Sequence, residues 1–242
     1  MRRIAAKFVP RLLQNEQKQH RLEVCRELQQ QLQEDPNFLS KVVTGDESWV
    51  YGYDPESKQQ LSQWKSPSSP RPKKARQVKS NIKSMLICFF DTDGIVHKEF
   101  VPPGQTVNKE FYRDVLRRLR ENMRRKRPEK WRTNDWVLHH DNARPHMAYI
   151  VQEFLAKNKM AVVPHPPYSA DLAPYDFFLF PKMKIKLKGR RFDTVEEIQA
   201  KTQTVLNTLT KKDFQDAFEK WQKRWDQCMR SQGDYFEGDG AE

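Results

Sequence analysis

The sequence has few cysteines and no long apolar segment. Cys25, Cys88 and Cys228 are widely separated and show no paired metal-ligand spacing, which argues against a disulfide framework and is typical of free thiols in a reducing compartment. No apolar run approaches the roughly 18 to 20 residues of a membrane-spanning helix. Apolar residues make up 37% of the chain, yet six Trp, fourteen Phe and seven Tyr provide material for a sizeable core.

Acidic residues are too few to balance the basic ones. The chain has 44 Lys and Arg against 32 Asp and Glu, and its formal net charge is +12. Such an excess is expected of a protein that neutralises phosphates, so nucleic acid is the favoured partner. A ribosomal protein or a membrane-surface protein would show the same balance, and charge alone leaves these alternatives open.

The length of 242 residues fits one large domain or two small ones. We assign residues 1–36 to a linker and lead-in helix and residues 37–242 to the main domain. In the predicted helix at 14–34, apolar residues recur at three- and four-residue spacing, so one face can pack on a core. A loop insertion is predicted at about 54–80, because its Pro and Ser content excludes a regular element, and long loops are usually functional or disordered.

Strands and helices alternate through the main domain. The predicted strands are 41–51, 84–90, 95–101, 136–140 and 161–164; an Asp-rich turn at 91–94 joins the second to the third. The predicted helices are 109–125, capped by Asn108, 145–157, and a set after Asp176 that includes 194–209 and 211–230. This βββαβαβα order is that of an α/β protein with an RNase H-like fold, a mixed five-stranded sheet flanked by helices. In such a sheet the first and fourth strands are neighbours.

Three aspartates have distinctive local settings. Asp46 lies in VVTGDESWVY (42–51), Asp141 in WVLHHDNARPH (136–146) and Asp176 in PHPPYSADLAPYDFFLFP (164–181), and thirty-four residues separate the last two. A single Asp at a strand end is more often a turn or cap residue. Three carboxylates in one crevice, however, suit Mg²⁺, which prefers oxygen ligands, and two such ions can clamp a phosphoryl displacement. The pattern indicates a metal-dependent nucleic-acid phosphodiesterase, with these aspartates as catalytic and metal-binding residues.

The strings TGDESW, HHDNARPH and HPPYSADLAPYDFF, with the closing segment from Phe214 to Phe236, resemble the catalytic domain of mariner-family DNA transposases. The resemblance runs from about Phe8 to Phe236 and includes the family's thirty-four-residue aspartate spacing. It implies an RNase H-like fold of the retroviral integrase and transposase superfamily, Mg²⁺ or Mn²⁺ as cofactor, and DNA strand cleavage and strand transfer by the three aspartates. It further implies a nuclear protein whose partner is DNA, with a homodimer as an option and with neither a membrane nor a small-molecule cofactor.

The sequence departs from the family pattern in places. Ala170 and Tyr175 differ from the family's YSPDLAP segment and the residues after it, and FVPRLL (8–13) stands where the family has WVPHEL. Loop 54–80 matches a family loop that contacts DNA and the opposite subunit. Since the resemblance starts in the linker, the family's helix-turn-helix recognition region has no counterpart here. The alternative to an active enzyme is therefore a domesticated DNA-binding or scaffold protein without transposition activity, and a weaker one is a basic interaction module without chemistry.

Several polar residues adjoin the aspartates. Glu47 is expected to point away from Asp46, toward solvent or in support of the site. His139, His140 and His146 suit transition metals better than Mg²⁺, so DNA contact or packing is the expectation. Asn142 and Arg144 follow Asp141 and are expected to support the site or to contact phosphate. Asp171 is expected to be a turn residue.

Three basic runs stand out: RPKKAR (71–76), RRLRENMRRKR (117–127) and KMKIKLKGRR (182–191). A charge run is usually a solvated helix face, but three of one sign favour at least one that follows a DNA backbone. The candidate DNA-binding residues are Arg71, Lys73, Lys74, Arg76, Arg124, Arg125, Lys126, Lys184, Lys188 and Arg190. Trp64, beside the first run, is expected to be buried in the core by default, with stacking on a base as the alternative.

Overall fold

The computed structural model describes residues 9–57, 60–66, 68–70, 72–75 and 77–236. Arg71 and Arg76 therefore lie outside the described residues. The strands are β1 (Val42–Tyr51), β2 (Lys83–Asp91), β3 (Gly94–Val101), β4 (Val137–His139) and β5 (Ala161–Val163). The helices are α1 (Asn15–Glu34), α2 (Phe38–Lys41), α3 (Lys109–Lys126), α4 (Pro128–Thr133), α5 (Tyr149–Lys157), α6 (Phe180–Leu187), α7 (Val195–Asn207) and α8 (Lys211–Arg230).

The strands form one mixed sheet in the order β3-β2-β1-β4-β5. Strands β1, β2 and β3 pair antiparallel, whereas β4 is parallel to both β1 and β5. The tight β2–β3 turn is possible because Gly94 adopts φ +121°, which side chains rarely tolerate. The predicted mixed five-stranded sheet is confirmed, including the adjacency of its first and fourth strands.

Each face of the sheet is covered by helices, because strand residues alternate between the two faces. Val42 belongs to one core together with Trp221 and Trp225 of α8. Val43 belongs to the other core together with Val115 and Leu119 of α3. None of the helices in the described ranges is long and apolar enough to cross a membrane. The sheet thus lies between two apolar layers, and its strand ends are free to carry polar residues.

Some local predictions need correction. Helices α2 and α4 were not predicted, although Pro128 at the first turn of α4 is a helix-start signal. The helix predicted at 145–157 begins only at Tyr149, because residues 143–148 form turns in which the amides of both His146 and Met147 donate to Ala143. The prediction that Trp64 is buried is wrong: its relative exposure is 104%. The described part of loop 54–80 contains no helix or extended strand and offers Trp64 no core to join.

Candidate active site

Strand register brings Asp46 and Asp141 side by side. Thr44 on β1 pairs with His139, the last residue of β4. Each aspartate lies two residues further along its own chain segment, so two parallel segments carry the carboxylates to the same level of the sheet. Gly45 allows β1 to pack closely on β2 beside Asp46, because a Cβ there would lie 2.3 Å from Phe89 Cδ1 and 2.6 Å from the Cys88 carbonyl oxygen.

Asp176 approaches from outside the sheet. It lies in a π-helical turn, Tyr175–Leu179, that runs directly into α6, so the predicted helix start there is irregular. Asp176 lines a cavity of about 480 Å³ together with Asp141, Asn142 and His165. Pro10 and Tyr168 line the same cavity, which places the lead-in segment at the candidate site.

Electrostatic effects show that the three carboxylates crowd one another. Burial raises the pKa of Asp46 well above its ordinary value, and Glu47 and Asp141 raise it further. Burial, followed by Asp141, raises the pKa of Asp176 to about 6. The hydroxyl of buried Tyr175 has no hydrogen-bond partner in the described structure, and after burial the three aspartates are what raise its pKa. The three carboxylates therefore act together on one buried phenol.

The donor set fits a hard divalent cation. Three carboxylates offer the oxygen ligands that Mg²⁺ and Mn²⁺ prefer, and a cation would relieve the repulsion that keeps Asp46 and Asp176 difficult to ionise. Within the described ranges, no group of three or more His, Cys, Asp or Glu side chains is already arranged closely enough to hold a metal ion. The residues present thus match a magnesium or manganese site in chemistry, while their carboxylates are not drawn together as ligands.

His146 lies between two carboxylates. Its Nδ1 is 2.7 Å from Asp141 Oδ1, an ion-pair distance without hydrogen-bond geometry, and its Nε2 is 3.4 Å from Glu47 Oε1. Burial opposes the charged imidazolium, but the two carboxylates outweigh it and raise the pKa of His146 to about 9. Tyr112 stacks on the ring at 3.7 Å. His146 therefore holds Asp141 in place as a packed cation, and Glu47 supports that cation instead of facing solvent.

The neighbouring histidines are neutral packing residues, in line with the expectation of packing. His139 Nδ1 lies 2.8 Å from Thr44 Oγ1, and burial lowers its pKa well below the ordinary value. The Tyr112 hydroxyl and His140 Nδ1 share a hydrogen bond of 2.7 Å, while burial and His146 lower the pKa of His140 to about 3. Burial also lowers the pKa of His165 to about 4. Neutral rings add no positive charge beside the aspartates.

Asn142 and Arg144 lie in different environments. The Asn142 amide donates to the His165 carbonyl, which ties the segment after β4 to the far wall of the cavity. Arg144 is exposed. The amide of Ala143 donates to Asp141 Oδ1 at 3.0 Å, so a turn directly after the aspartate fixes its carboxylate. Asn142 is therefore placed to support the site, and Arg144 is available for a phosphate.

Sequence reasoning missed a buried network under the cavity wall. Arg21 on α1 is fully buried and donates to Asp171 through both terminal nitrogens, at 2.8 and 2.7 Å. It also donates to Ser169 Oγ at 2.7 Å and to the Gly233 carbonyl at 2.8 Å. Asp171 is thus an ion-pair partner and not merely a turn residue. The available signal was an arginine at helical spacing with buried Cys25 and Leu28, on a face expected to be apolar.

Two of the basic runs meet, and the third is separate. The Gly189 amide donates to the Asp54 carbonyl, Tyr53 forms a β-bridge with Arg191, and Lys74 pairs with Glu56 at 2.7 Å. The described part of the first run therefore lies beside the third. The candidates brought together there are Lys73, Lys74, Lys184, Lys188 and Arg190, and Asp176 acts on the pKa of Lys184. Arg124, Arg125 and Lys126 end α3 at a different place, near the β2–β3 turn.

The chain is similar to known transposases in sequence and in fold. A family model described as Transposase (partial DDE domain) matches residues 54–133. The chain is 32% identical over 232 residues to the Mariner Mos1 transposase of Drosophila mauritiana, covering 96% of this chain and 66% of that protein. It is 30% identical over 233 residues to the Homo sapiens histone-lysine N-methyltransferase SETMAR, covering 96% of this chain and 33% of that protein. The Mos1 mariner paired end complex with Mn superposes with a TM-score of 0.88 at 32% identity, covering 98% of this chain and 68% of that chain. The chain thus spans about two thirds of the Drosophila protein and one third of the human one.

Proposed function

Because the chain belongs to the mariner family of transposases, we propose that it cleaves DNA strands and transfers the cleaved end to a target, using divalent metal ions. Its fold is the RNase H-like fold of that family's catalytic domain. The observation that carries the proposal is the register of β1 and β4, which aligns Asp46 with Asp141, together with Asp176 on the cavity that Asp141 lines. Intact carboxylates favour an enzyme over a DNA-binding remnant.

Asp46, Asp141 and Asp176 would hold Mg²⁺ or Mn²⁺. Bound there, the metal would supply Lewis-acid chemistry for an in-line displacement at phosphorus. Hydrolysis consumes one water and leaves a 3′-hydroxyl and a 5′-phosphate; in transfer, the 3′-hydroxyl attacks a target phosphodiester and releases a new 3′-hydroxyl. The chain itself supplies orientation, because His146 and the Ala143 amide both hold Oδ1 of Asp141.

DNA would lie along the surface where the first and third basic runs meet. Lys184 and Lys188 are only partly exposed, and burial followed by Lys79 lowers the pKa of Lys184. Cations held near one another without full neutralisation attract a phosphate backbone. This surface borders Asp176, so a bound strand would pass the carboxylates. A DNA-cleaving protein of this family would act in the nucleus, which imaging of a fluorescent fusion tests.

Loop 54–80 would contact a second copy of the chain. In its described part Trp64 is fully exposed, and Leu61 and Val78 are 40% and 75% exposed. A large aromatic side chain exposed to this degree is suited to pack against another chain. We expect analytical ultracentrifugation with duplex DNA to show two protein chains per complex, and Trp64→Ser to reduce that species to one. Dimerisation of Trp64→Ser equal to that of the parent would exclude this loop as the contact.

The catalytic proposal is tested by nicking of a supercoiled plasmid in Mg²⁺ or Mn²⁺. Asp141→Asn keeps the shape of the side chain but removes a charged ligand, so nicking should fall by at least about a hundredfold, while DNA affinity, which rests on Lys and Arg, stays within about twofold. Asp193→Asn, at an exposed position before α7, is the matched control and should keep full activity. Metal-dependent nicking by Asp141→Asn would contradict the mechanism. DNA binding by the parent chain without any nicking would instead support the domesticated DNA-binding protein.

A further inference from the structure

A second cavity lies beside the β2–β3 turn, at the β3 edge of the sheet. Lys98 on β3 pairs with Cys88 on β2, and Cys88 pairs with Asp46 on β1, so strand β2 separates the cavity from Asp46. The cavity has a volume of about 290 Å³ and includes three lysines, Lys98, Lys126 and Lys211. Its apolar part is formed by Ile95, Leu209 and Phe214.

Two of these lysines have only neutral acceptors among their hydrogen bonds. Lys98 Nζ donates to Asn207 Oδ1 at 3.3 Å, and Lys126 Nζ donates to the Ile95 carbonyl at 3.4 Å. Burial lowers the pKa of both, and Arg125, Lys98 and Arg127 lower that of Lys126 further. The fold therefore keeps half-buried Lys98 and exposed Lys126 close together, and within the described part of the chain neither lysine pairs with a carboxylate.

The charges that face the cavity from neighbouring elements leave a positive excess. Lys211 pairs with Asp93 at 2.7 Å, and Arg127 and Lys130 both pair with buried Asp91, at 2.8 and 2.7 Å. Together with Lys98 and Lys126, five cations face two carboxylates. Positive charge in a concave site with apolar walls attracts an anion more strongly than a flat surface does.

We propose that Lys98, Lys126 and Lys211 bind a phosphodiester of duplex DNA, with the sugar packed against the apolar wall of the cavity. A polymer suits the site better than a free phosphate, because Arg124 and Arg125 extend the positive surface beyond the cavity along α3. The DNA would thus contact the β3 edge of the sheet in addition to the surface where the first and third basic runs meet. The identity of the ligand as DNA rests on the proposed function.

The test compares the double variant Lys98→Gln, Lys126→Gln with a matched control, Lys201→Gln, Lys223→Gln, which removes the same charge from exposed positions on α7 and α8. Fluorescence anisotropy of a labelled duplex is measured at two salt concentrations. We expect the cavity variant to lose about tenfold in affinity and its slope of log affinity against log salt to shrink by about 0.9 per lost phosphate contact, whereas the control stays close to the parent.

A second variant and a competition measurement distinguish failure of this proposal from failure of the proposed function. If the double variant does not fold, the single variant Lys126→Glu takes its place, because position 126 is exposed and tolerates the change. This variant should weaken DNA binding more than the control does. In the second measurement, millimolar inorganic phosphate should compete with DNA only weakly. Parent-like DNA binding by both cavity variants, or full displacement of DNA by inorganic phosphate, would overturn the inference and leave the catalytic proposal intact. A parent chain that binds no duplex would overturn the proposed function, and this inference with it.

Discussion

Replacement of Arg21 by Met should strongly destabilise the protein. The guanidinium is fully buried and makes four hydrogen bonds, two to Asp171, one to Ser169 and one to the Gly233 carbonyl. Met fills much of the same volume but leaves the Asp171 carboxylate without its cation. The side chain of Asp171 is only 18% exposed, so water can restore little of the lost interaction.

The magnitude follows from the burial of the pair. Removal of one partner of a buried ion pair costs about 3–5 kcal/mol, and the partial exposure of Asp171 favours the lower end, about 3 kcal/mol. In a domain of this size each kcal/mol lowers the melting temperature by about 2–4 °C, so we expect a decrease of about 6–12 °C. Addition of Asp171→Asn removes the unpaired charge, and the double variant should be about 1–2 kcal/mol more stable than the sum of the single losses predicts.

Urea unfolding followed by circular dichroism gives these free energies. Arg26→Met, at an exposed position on the same helix, is the control and should change stability by less than about 0.5 kcal/mol. Because residues 168–170, directly before Asp171, line the cavity that contains Asp141, we also expect Arg21→Met to lower metal-dependent nicking at temperatures where it remains folded. A loss of less than about 1 kcal/mol, or additive single and double variants, would refute the buried ion-pair interpretation.

Two further predictions concern β1 and β3. Gly45→Ala would place a Cβ 2.3 Å from Phe89 Cδ1, so we expect the free energy of unfolding in urea to fall by at least about 2 kcal/mol. The substitution should also impair nicking by displacing Asp46. A fully active, equally stable variant would contradict this close packing. Glu99 has a pKa lowered to about 2: burial alone would raise it, but His97 and Arg118 outweigh burial. The ionised Glu99 therefore stabilises the fold above about pH 4.5, and this stabilisation is lost as the pH falls toward 2. After allowance for solvent screening, Glu99→Gln should remove about 1–2 kcal/mol of the pH dependence of the unfolding free energy. Identical acid-unfolding curves for the parent and the variant would exclude this role of Glu99.

Local patterns in the sequence were sufficient for most of the sheet. Alternating and apolar runs marked the five strands, and the Asp-rich turn ending at Gly94 marked the hairpin. The element order, typical of an RNase H-like sheet, also predicts that the first and fourth strands are neighbours, which places Asp46 beside Asp141. The assignment of metal-binding and DNA-binding roles to individual residues stays a prediction, as does the division of the chain at residue 36.

The missed features depend on contacts between distant residues. Arg21 and Asp171 are 150 positions apart, and no local pattern pairs them. The sequence offers His146 as a ligand, a DNA contact or a packing residue. Its position between Glu47 and Asp141 arises from the turns that delay the start of α5, and local patterns did not predict these turns. Trp64 is expected in the core because aromatic residues usually are buried, yet its side chain is fully exposed on a loop whose described part contains no helix or extended strand.

The central claim is that Asp46, Asp141 and Asp176 together bind a divalent cation, and direct titration of Mn²⁺ tests it. Electron paramagnetic resonance counts free Mn²⁺ as the ion is added to the parent chain, to each single Asp→Asn variant and to the Asp193→Asn control. We expect the parent and the control to bind with equal affinity, and each of the three variants to lose at least about tenfold, because a missing carboxylate removes both a ligand and a negative charge. Absence of Mn²⁺ binding by the parent, or unchanged binding after replacement of any of the three aspartates, would contradict the account.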